Sequence, residues 1–212
     1  NVDASFEIMK NNGLYQGTRW QYRWAAPQFL DKMIAWVGKD TLCAQLSYFF
    51  DHHLYNQGNE PDIHVPYIFN RLGAPEKTQK LVRSLMTEPM IHKYGGNAEF
   101  KTPYFGKAFK NHPVGYSPEM DEDDGTMSAW YVFGALGFYP MVVGDEYYEL
   151  TSPLFDSITL QLENGNKLSI QIQGRKQKNM PIQSVSFNGR EVKDYRISHN
   201  ELIKGGKLVF NY

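Results

Sequence analysis

The chain predicts an α+β protein, with a helical part over residues 1–140 and an antiparallel β-sandwich part over residues 141–212. Three observations carry that reading. Apolar residues recur at helical spacing up to about residue 138, they alternate with period two after Pro140, and two Asn-Gly pairs sit where hairpins between such strands would turn.

The helical spacing covers Trp20 to Val37, Leu42 to Leu54, Val65 to Leu72, Thr78 to Met90 and Met127 to Phe138, so helices and no strands are expected between residues 20 and 90. Gly38 stops the first helix, Asp40 reads as the N-cap of the next, and Pro75-Glu76 opens a third with proline and an acid in its first turn. Beyond Pro140, Ile158, Leu160 and Leu162 face Leu168, Ile170 and Ile172 across Asn164-Gly165. Val185 and Phe187 run into a second turn at Asn188-Gly189, and Leu208, Val209 and Phe210 supply a last strand. Tyr94 to Asp124 fits neither period, and a structureless connection of that length is usually functional or disordered.

Composition removes several classes of function. With 22 Lys+Arg against 23 Asp+Glu over 212 residues, no broad field attracts nucleic acid or an anionic membrane. No apolar run approaches the ~20 residues of a membrane span, and Asn1-Val2-Asp3-Ala4-Ser5 lack the pattern of a secretory leader. Cys43, the single cysteine, excludes an internal disulfide and leaves the compartment open. Glycine-rich phosphate loops, nucleophile elbows and paired-His zinc motifs are missing from the sequence. Aromatic residues make up 15% of the chain, which suits either sugar stacking or an aromatic helix core.

Three segments bear chemistry. Asp121-Glu122-Asp123-Asp124-Gly125 precedes a helix, where acids complement the helix dipole and cap free N–H groups. The same carboxylates can form a general-base pair or a hard-cation site. In an extended loop Asp121 and Asp123, two apart, share a direction while Glu122 faces away. Gln57 to His64 offers Asn59, Glu60 and Asp62 as oxygen donors and His64 as a contact for a sugar hydroxyl, or else is a polar turn in which Pro61 opens a helix. Tyr15 to Trp24 brings two Trp and two Tyr together, and Trp20 and Trp24, four apart, suit pyranose rings or the core.

Together these segments resemble glycoside hydrolase family 92. The most specific match is Asp121-Glu122-Asp123-Asp124-Gly125-Thr126-Met127-Ser128-Ala129-Trp130-Tyr131-Val132-Phe133-Gly134-Ala135-Leu136-Gly137-Phe138-Tyr139-Pro140, supported by Gly58-Asn59-Glu60-Pro61, Trp20-Gln21-Tyr22-Arg23-Trp24 and Leu162-Glu163-Asn164-Gly165. The resemblance implies the C-terminal part of an (α/α)6 toroid followed by β-sandwich strands, belonging to a longer protein whose N-terminal part completes the site. Apolar patches are then expected on the helices at Trp20–Val37 and Leu42–Leu54 unless another chain covers them.

It further implies an exo-acting, inverting α-mannosidase that depends on Ca2+, acts on α-mannosides of N-glycans or mannan, and works outside the cell, in the periplasm or at the cell surface. Asp121 and Asp123 take the general-base positions, Trp20, Glu60 and His64 contact substrate, and Asn59, Glu60 and Asp123 serve the metal. Acid and base are expected about 6.5–9.5 Å apart, as inversion requires. At the acid position the family pattern has Glu, whereas this chain has Gln16. Gln donates a hydrogen bond but transfers no proton. The substitution is compatible with a substrate whose leaving group needs no proton, such as a mannosyl phosphodiester, with a mannose-binding relative that does not turn over, or with an engineered Glu-to-Gln change.

Overall fold

The structure is a computed structural model that describes residues 13–94, 101–113, 115–117 and 122–212. It divides into two compact units, Asn1–Pro66 with Ser84–Tyr131 and Tyr67–Arg83 with Val132–Tyr212. Packing therefore cuts the chain in different places from the change of period near residue 140: two helices are each shared between the units.

The first unit is helical. Thr18 opens α1 (Arg19–Tyr22) with a capping box: its hydroxyl accepts from Gln21 N at 3.2 Å, and Gln21 Oε1 accepts from Thr18 N at 2.6 Å. The expected helix from Trp20 to Val37 is broken, because Pro27 restricts Ala26 (φ −122°, ψ 62°) and helix resumes only at α2 (Leu30–Val37). Gly38, at φ 89°, both ends α2 and precedes α3 (Lys39–Asp51). Asp40 thus lies in the first turn of α3 and is not its N-cap, which corrects the sequence reading. Trp24, Leu42, Leu46, Phe49 and Tyr55 are buried together, with the Phe49 ring 6.4 Å from Trp24 and 6.3 Å from Tyr55. Trp36 is 81% exposed, and Phe29 and Tyr48 are also exposed, the largest apolar side chains that these helices leave open.

The connection expected to lack regular structure supplies one strand of an antiparallel pair, and the other strand begins at Met90, the last residue of the stretch expected to hold none. β1 (Met90–His92) pairs antiparallel with β2 (Tyr104–Gly106), and the His92 ring stacks on Tyr104 at 4.3 Å. Further along, Phe109 and Tyr116 form an isolated antiparallel bridge.

The second unit holds two sheets. α4 (Ile68–Arg71) and most of α5 (Pro75–Thr87) belong to it, as does the end of α6 (Thr126–Leu136). One sheet has the order β3 (Phe138–Tyr139), β4 (Tyr147–Leu150), β9 (Arg196–Ser198). The other runs β5 (Ser157–Gln161), β6 (Lys167–Gln173), β10 (Gly206–Asn211), β7 (Ser184–Phe187), β8 (Arg190–Glu191), and α7 (His199–Leu202) follows β9. Both expected hairpins form: Ile158 pairs with Ile170, Leu160 with Leu168, and Phe187 with Arg190 across left-handed Asn188 and Gly189.

The period-two residues build the core. Leu168, Ile170, Val185, Phe187, Leu208 and Phe210 of the five-stranded sheet are buried with Phe138, Leu150 and Ile197 of the three-stranded sheet. The strands are not all antiparallel, however. β10 runs parallel to β6, with Leu208 opposite Ile170, and antiparallel to β7, so the larger sheet is mixed.

Candidate active site

The acid loop turns sharply into α6. Asp123, Asp124 and Gly125 have φ of 52°, 53° and 95°, a left-handed run that Asp tolerates better than most residues and Gly adopts freely. The extended backbone assumed for pairing Asp121 with Asp123 is therefore corrected at residue 123: the chain is coiled there, so alternation of side chains does not apply. Asp121 lies outside the described residues. Glu122 does the capping. Its carboxylate accepts from Gly125 N at 2.5 Å and Ser128 N at 2.9 Å, and these bonds from Ser128 hold its pKa below the ordinary value. Asp123 is left half-buried, with Oδ2 out of contact with solvent.

The second loop meets both the acid position and α6. Asn59 caps the 3-10 turn at Glu60–Asp62, accepting from Glu60 N at 2.9 Å through Oδ1. Its Nδ2 donates to the Gln16 carbonyl at 2.9 Å and approaches Gln16 Oε1 at 3.5 Å. Glu60 is exposed and its Oε1 accepts from Thr126 Oγ1 at 3.3 Å, while Thr126 N donates to the Asp123 carbonyl at 3.0 Å. A continuous path of contacts thus links Gln16, Asn59, Glu60, Thr126 and Asp123. Gln16 is itself left-handed, at φ 49°. Gly17 follows because a Cβ there would lie 2.5 Å from the Tyr22 ring.

Other nominated residues take different places. His64 is largely buried and its Nε2–H donates to the Trp24 carbonyl at 2.7 Å, while burial pushes its pKa down and favours the neutral ring. Trp20 is half-buried and stacked on Tyr48 at 5.3 Å, whereas Trp24 is a core residue. Asp62, offered by the sequence as an open oxygen donor, is fully buried and accepts from Asn56 N at 3.0 Å. Burial raises its pKa well above the carboxylate range. Two hollows of about 220 and 280 Å3 belong to the sheet unit, and none of these residues lines them.

Sequence reasoning missed the braces of the site. Tyr116 is buried and donates through its hydroxyl to the Gln57 carbonyl at 2.8 Å, and Tyr55 Oη donates to Gln57 Oε1 at 2.7 Å. Phe109 lies parallel to Trp130 of α6 at 5.9 Å, and Trp130 Nε1 donates to the Ile63 carbonyl at 2.8 Å. Tyr116 is thereby fastened to the loop that leads to Asn59, and Phe109 to the helix that follows Asp123. An aromatic residue in a long loop was the only available signal.

As a cation site the loops fit in kind. Asn59 and Glu60 offer hard oxygen donors beside the acid loop, as Ca2+ prefers. Among the described residues no group of three or more His, Cys, Asp or Glu side chains converges, so further oxygens are needed to reach the usual 6–8.

Known proteins supply the class: the fold is that of family 92 glycosidases. The chain belongs to glycosyl hydrolase family 92, whose catalytic-domain model matches residues 1–212. Its structure resembles that of the family 92 glycosyl hydrolase CcMan5, with a TM-score of 0.86 and 29% identity over 98% of this chain and 30% of that one. The family 92 α-mannosidase BT3965 of Bacteroides thetaiotaomicron matches at a TM-score of 0.77 and 26% identity, over 99% of this chain and 26% of that one. The inverting mannosidase BT2199 of the same bacterium follows at 0.72 and 26%, over 92% and 27%. An uncharacterized secreted glycosidase of Arthroderma benhamiae is 22% identical over 98% of this chain and 25% of its own length. The chain thus spans between a quarter and a third of these relatives. Among the described residues no helix is long and apolar enough to cross a membrane.

Proposed function

We propose that the chain carries the acid-position and base-side loops of an exo-acting, inverting α-mannosidase site. The carrying observation is the hydrogen bond from Asn59 to Gln16, which joins two loops 43 residues apart in sequence. In this reading Asp121 and Asp123 activate the attacking water as general base, on the face of the sugar opposite the leaving group. Trp20, Glu60 and His64 contact the sugar. Asn59, Glu60 and Asp123 would hold Ca2+, which when bound would supply a hard Lewis acid that coordinates sugar hydroxyl oxygens. The N-terminal part of the longer protein contributes the remaining contacts, and the protein works outside the cell on α-mannosides of N-glycans or mannan.

Gln16 favours a narrower substrate. A positioned acid contributes roughly 10²–10⁴-fold to glycoside cleavage, and an amide supplies none of it. A phosphate oxygen departs as a stable anion without being protonated. An α-mannosyl phosphodiester therefore asks of this site only a base at Asp121 and Asp123, the oxygen donors of Asn59 and Glu60, and an amide at position 16 able to donate a hydrogen bond toward the departing oxygen.

The test is an assay of the full-length protein, with Ca2+, on mannose-1-phospho-6-mannose and on α-linked mannobioses. Turnover of the phosphodiester alone is expected. Efficient cleavage of mannobiose with Gln16 in place overturns the narrower reading, and mannose binding without turnover on either substrate makes the protein a lectin-like relative. Gln16→Glu should raise mannobiose hydrolysis by about 10²-fold or more, since it restores the proton at position 16.

A further inference from the structure

We infer that Asp62, buried from solvent in the loop that carries Asn59 and Glu60, is a positioning residue that sets the separation between the Gln16 turn and that loop. The inference rests on the site assignment above, because those are the two loops whose spacing matters there.

Asp62 is 0% exposed and ends the 3-10 turn that begins with Glu60. Through Oδ2 it accepts from Asn56 N at 3.0 Å, and Asn56 Oδ1 accepts from Gly58 N at 2.9 Å, so the loop from 56 to 62 is closed on itself by this carboxyl. On the other side lies α1, which is in contact with the Glu60–Asp62 turn and contributes Gln21, also 0% exposed. Gln21 is at the same time the reciprocal half of the capping box with Thr18, two residues after Gln16. Asp62 therefore ends a turn that carries Asn59 and Glu60 and that lies against the helix beginning beside Gln16. The part-buried hydrogen bond from Asn59 to Gln16 joins the same two loops. Two contacts, the buried turn at Asp62 against α1 and the hydrogen bond at Asn59, fix an angle that one alone would leave loose. A hydrophobic residue would fill the space at position 62 but leave Asn56 N without its acceptor.

Amide hydrogen exchange of the full-length protein tests this without relying on turnover. Asp62→Ala should raise exchange about tenfold or more in residues 56–62 and also in residues 16–22, while β5 to β10 keep their protection. Asp62→Asn preserves an acceptor for Asn56 N and should restore most of the protection in both segments. On the substrate that the wild type turns over, Asp62→Ala should lower kcat about 10- to 100-fold per folded molecule with KM changed less than about threefold, and Asp62→Asn should recover it. Exchange that rises in 56–62 alone, or a kcat loss matched by loss of folded protein, overturns the inference. If the wild type turns over no mannoside, the assigned reaction fails while the exchange result still judges Asp62.

Discussion

The two units use their sequences differently. In the sheet unit the strands follow local rules: apolar side chains face inward at every second residue, left-handed Asn188 sits in a hairpin turn, and left-handed Asp194 and Tyr195 lie in the connection between β8 and β9. In the helical unit the segments that matter for chemistry break those rules. Gln16, Asp123 and Asp124 are left-handed outside any hairpin, and Gln21, Gln57 and Asp62 are buried polar residues in or beside loops. Such departures collect where geometry serves chemistry at some cost in stability. The sheet should therefore answer to packing changes through stability alone, and the loops chiefly through turnover.

The sharpest way to break that contrast is in the sheet core. Phe210→Ala removes a fully buried ring and should cost about 3–5 kcal/mol, read as a shift in denaturant midpoint, with kcat per folded molecule unchanged. Gly137 comes next. At φ 93°, with a Cβ that would lie 2.5 Å from Pro153 Cγ, Gly137→Ala should cost about 2–3 kcal/mol by strain and overlap together.

A titration places the third effect. Glu149 is 2% exposed, and burial pushes its pKa up to about 7 despite hydrogen bonding from Asn70 and the nearby charges of Arg196 and Arg71, with Asp145 adding to the rise. The folded protein holds this proton after the unfolded chain has lost it. The contribution therefore favours the fold at and below about pH 4.5 and is lost as pH rises toward 7, by of order 2–3 kcal/mol. Thermal midpoints between pH 5 and 8 should show this slope, and Glu149→Gln, which keeps an acceptor for Asn70, should flatten it.

The smallest effect lies at the site. Glu122→Ala frees Gly125 N and Ser128 N and should cost about 1 kcal/mol. A larger loss of turnover than of stability would show that the cap also holds Asp123 in place. Because the pKa of Glu122 is held down, this contribution is present at neutral pH and fades as pH falls through its folded value.

What the sequence disclosed follows the same contrast. Cross-strand pairs such as Ile158 with Ile170 were legible because alternation and an Asn-Gly turn together fix register. The parallel pairing of β10 with β6 was not, since period two looks the same in either direction. β2 went unseen for a related reason: Met90, in its partner strand, continues the helical spacing from Thr78. At the site, motif resemblance nominated Gln16, Asn59 and Glu60, and these do meet. The Tyr116 bond to Gln57 joins residues 59 apart through a backbone carbonyl, which leaves no mark on residue type.

The order of the larger sheet has a consequence for how the molecule is made. β10 comes last among the strands yet lies in the middle, hydrogen-bonded to β6 on one side and β7 on the other. A growing chain can close the β5–β6 and β7–β8 hairpins early, but each then exposes a bare edge and half of an apolar face. Nothing joins those halves until residues 206–211 leave the ribosome and slide between them, with Asn188 accepting from Lys207 N at 2.7 Å to register the fit. Until then the nascent protein carries two sticky ribbons side by side, and the rate at which it is shielded or completed decides how much of it escapes aggregation.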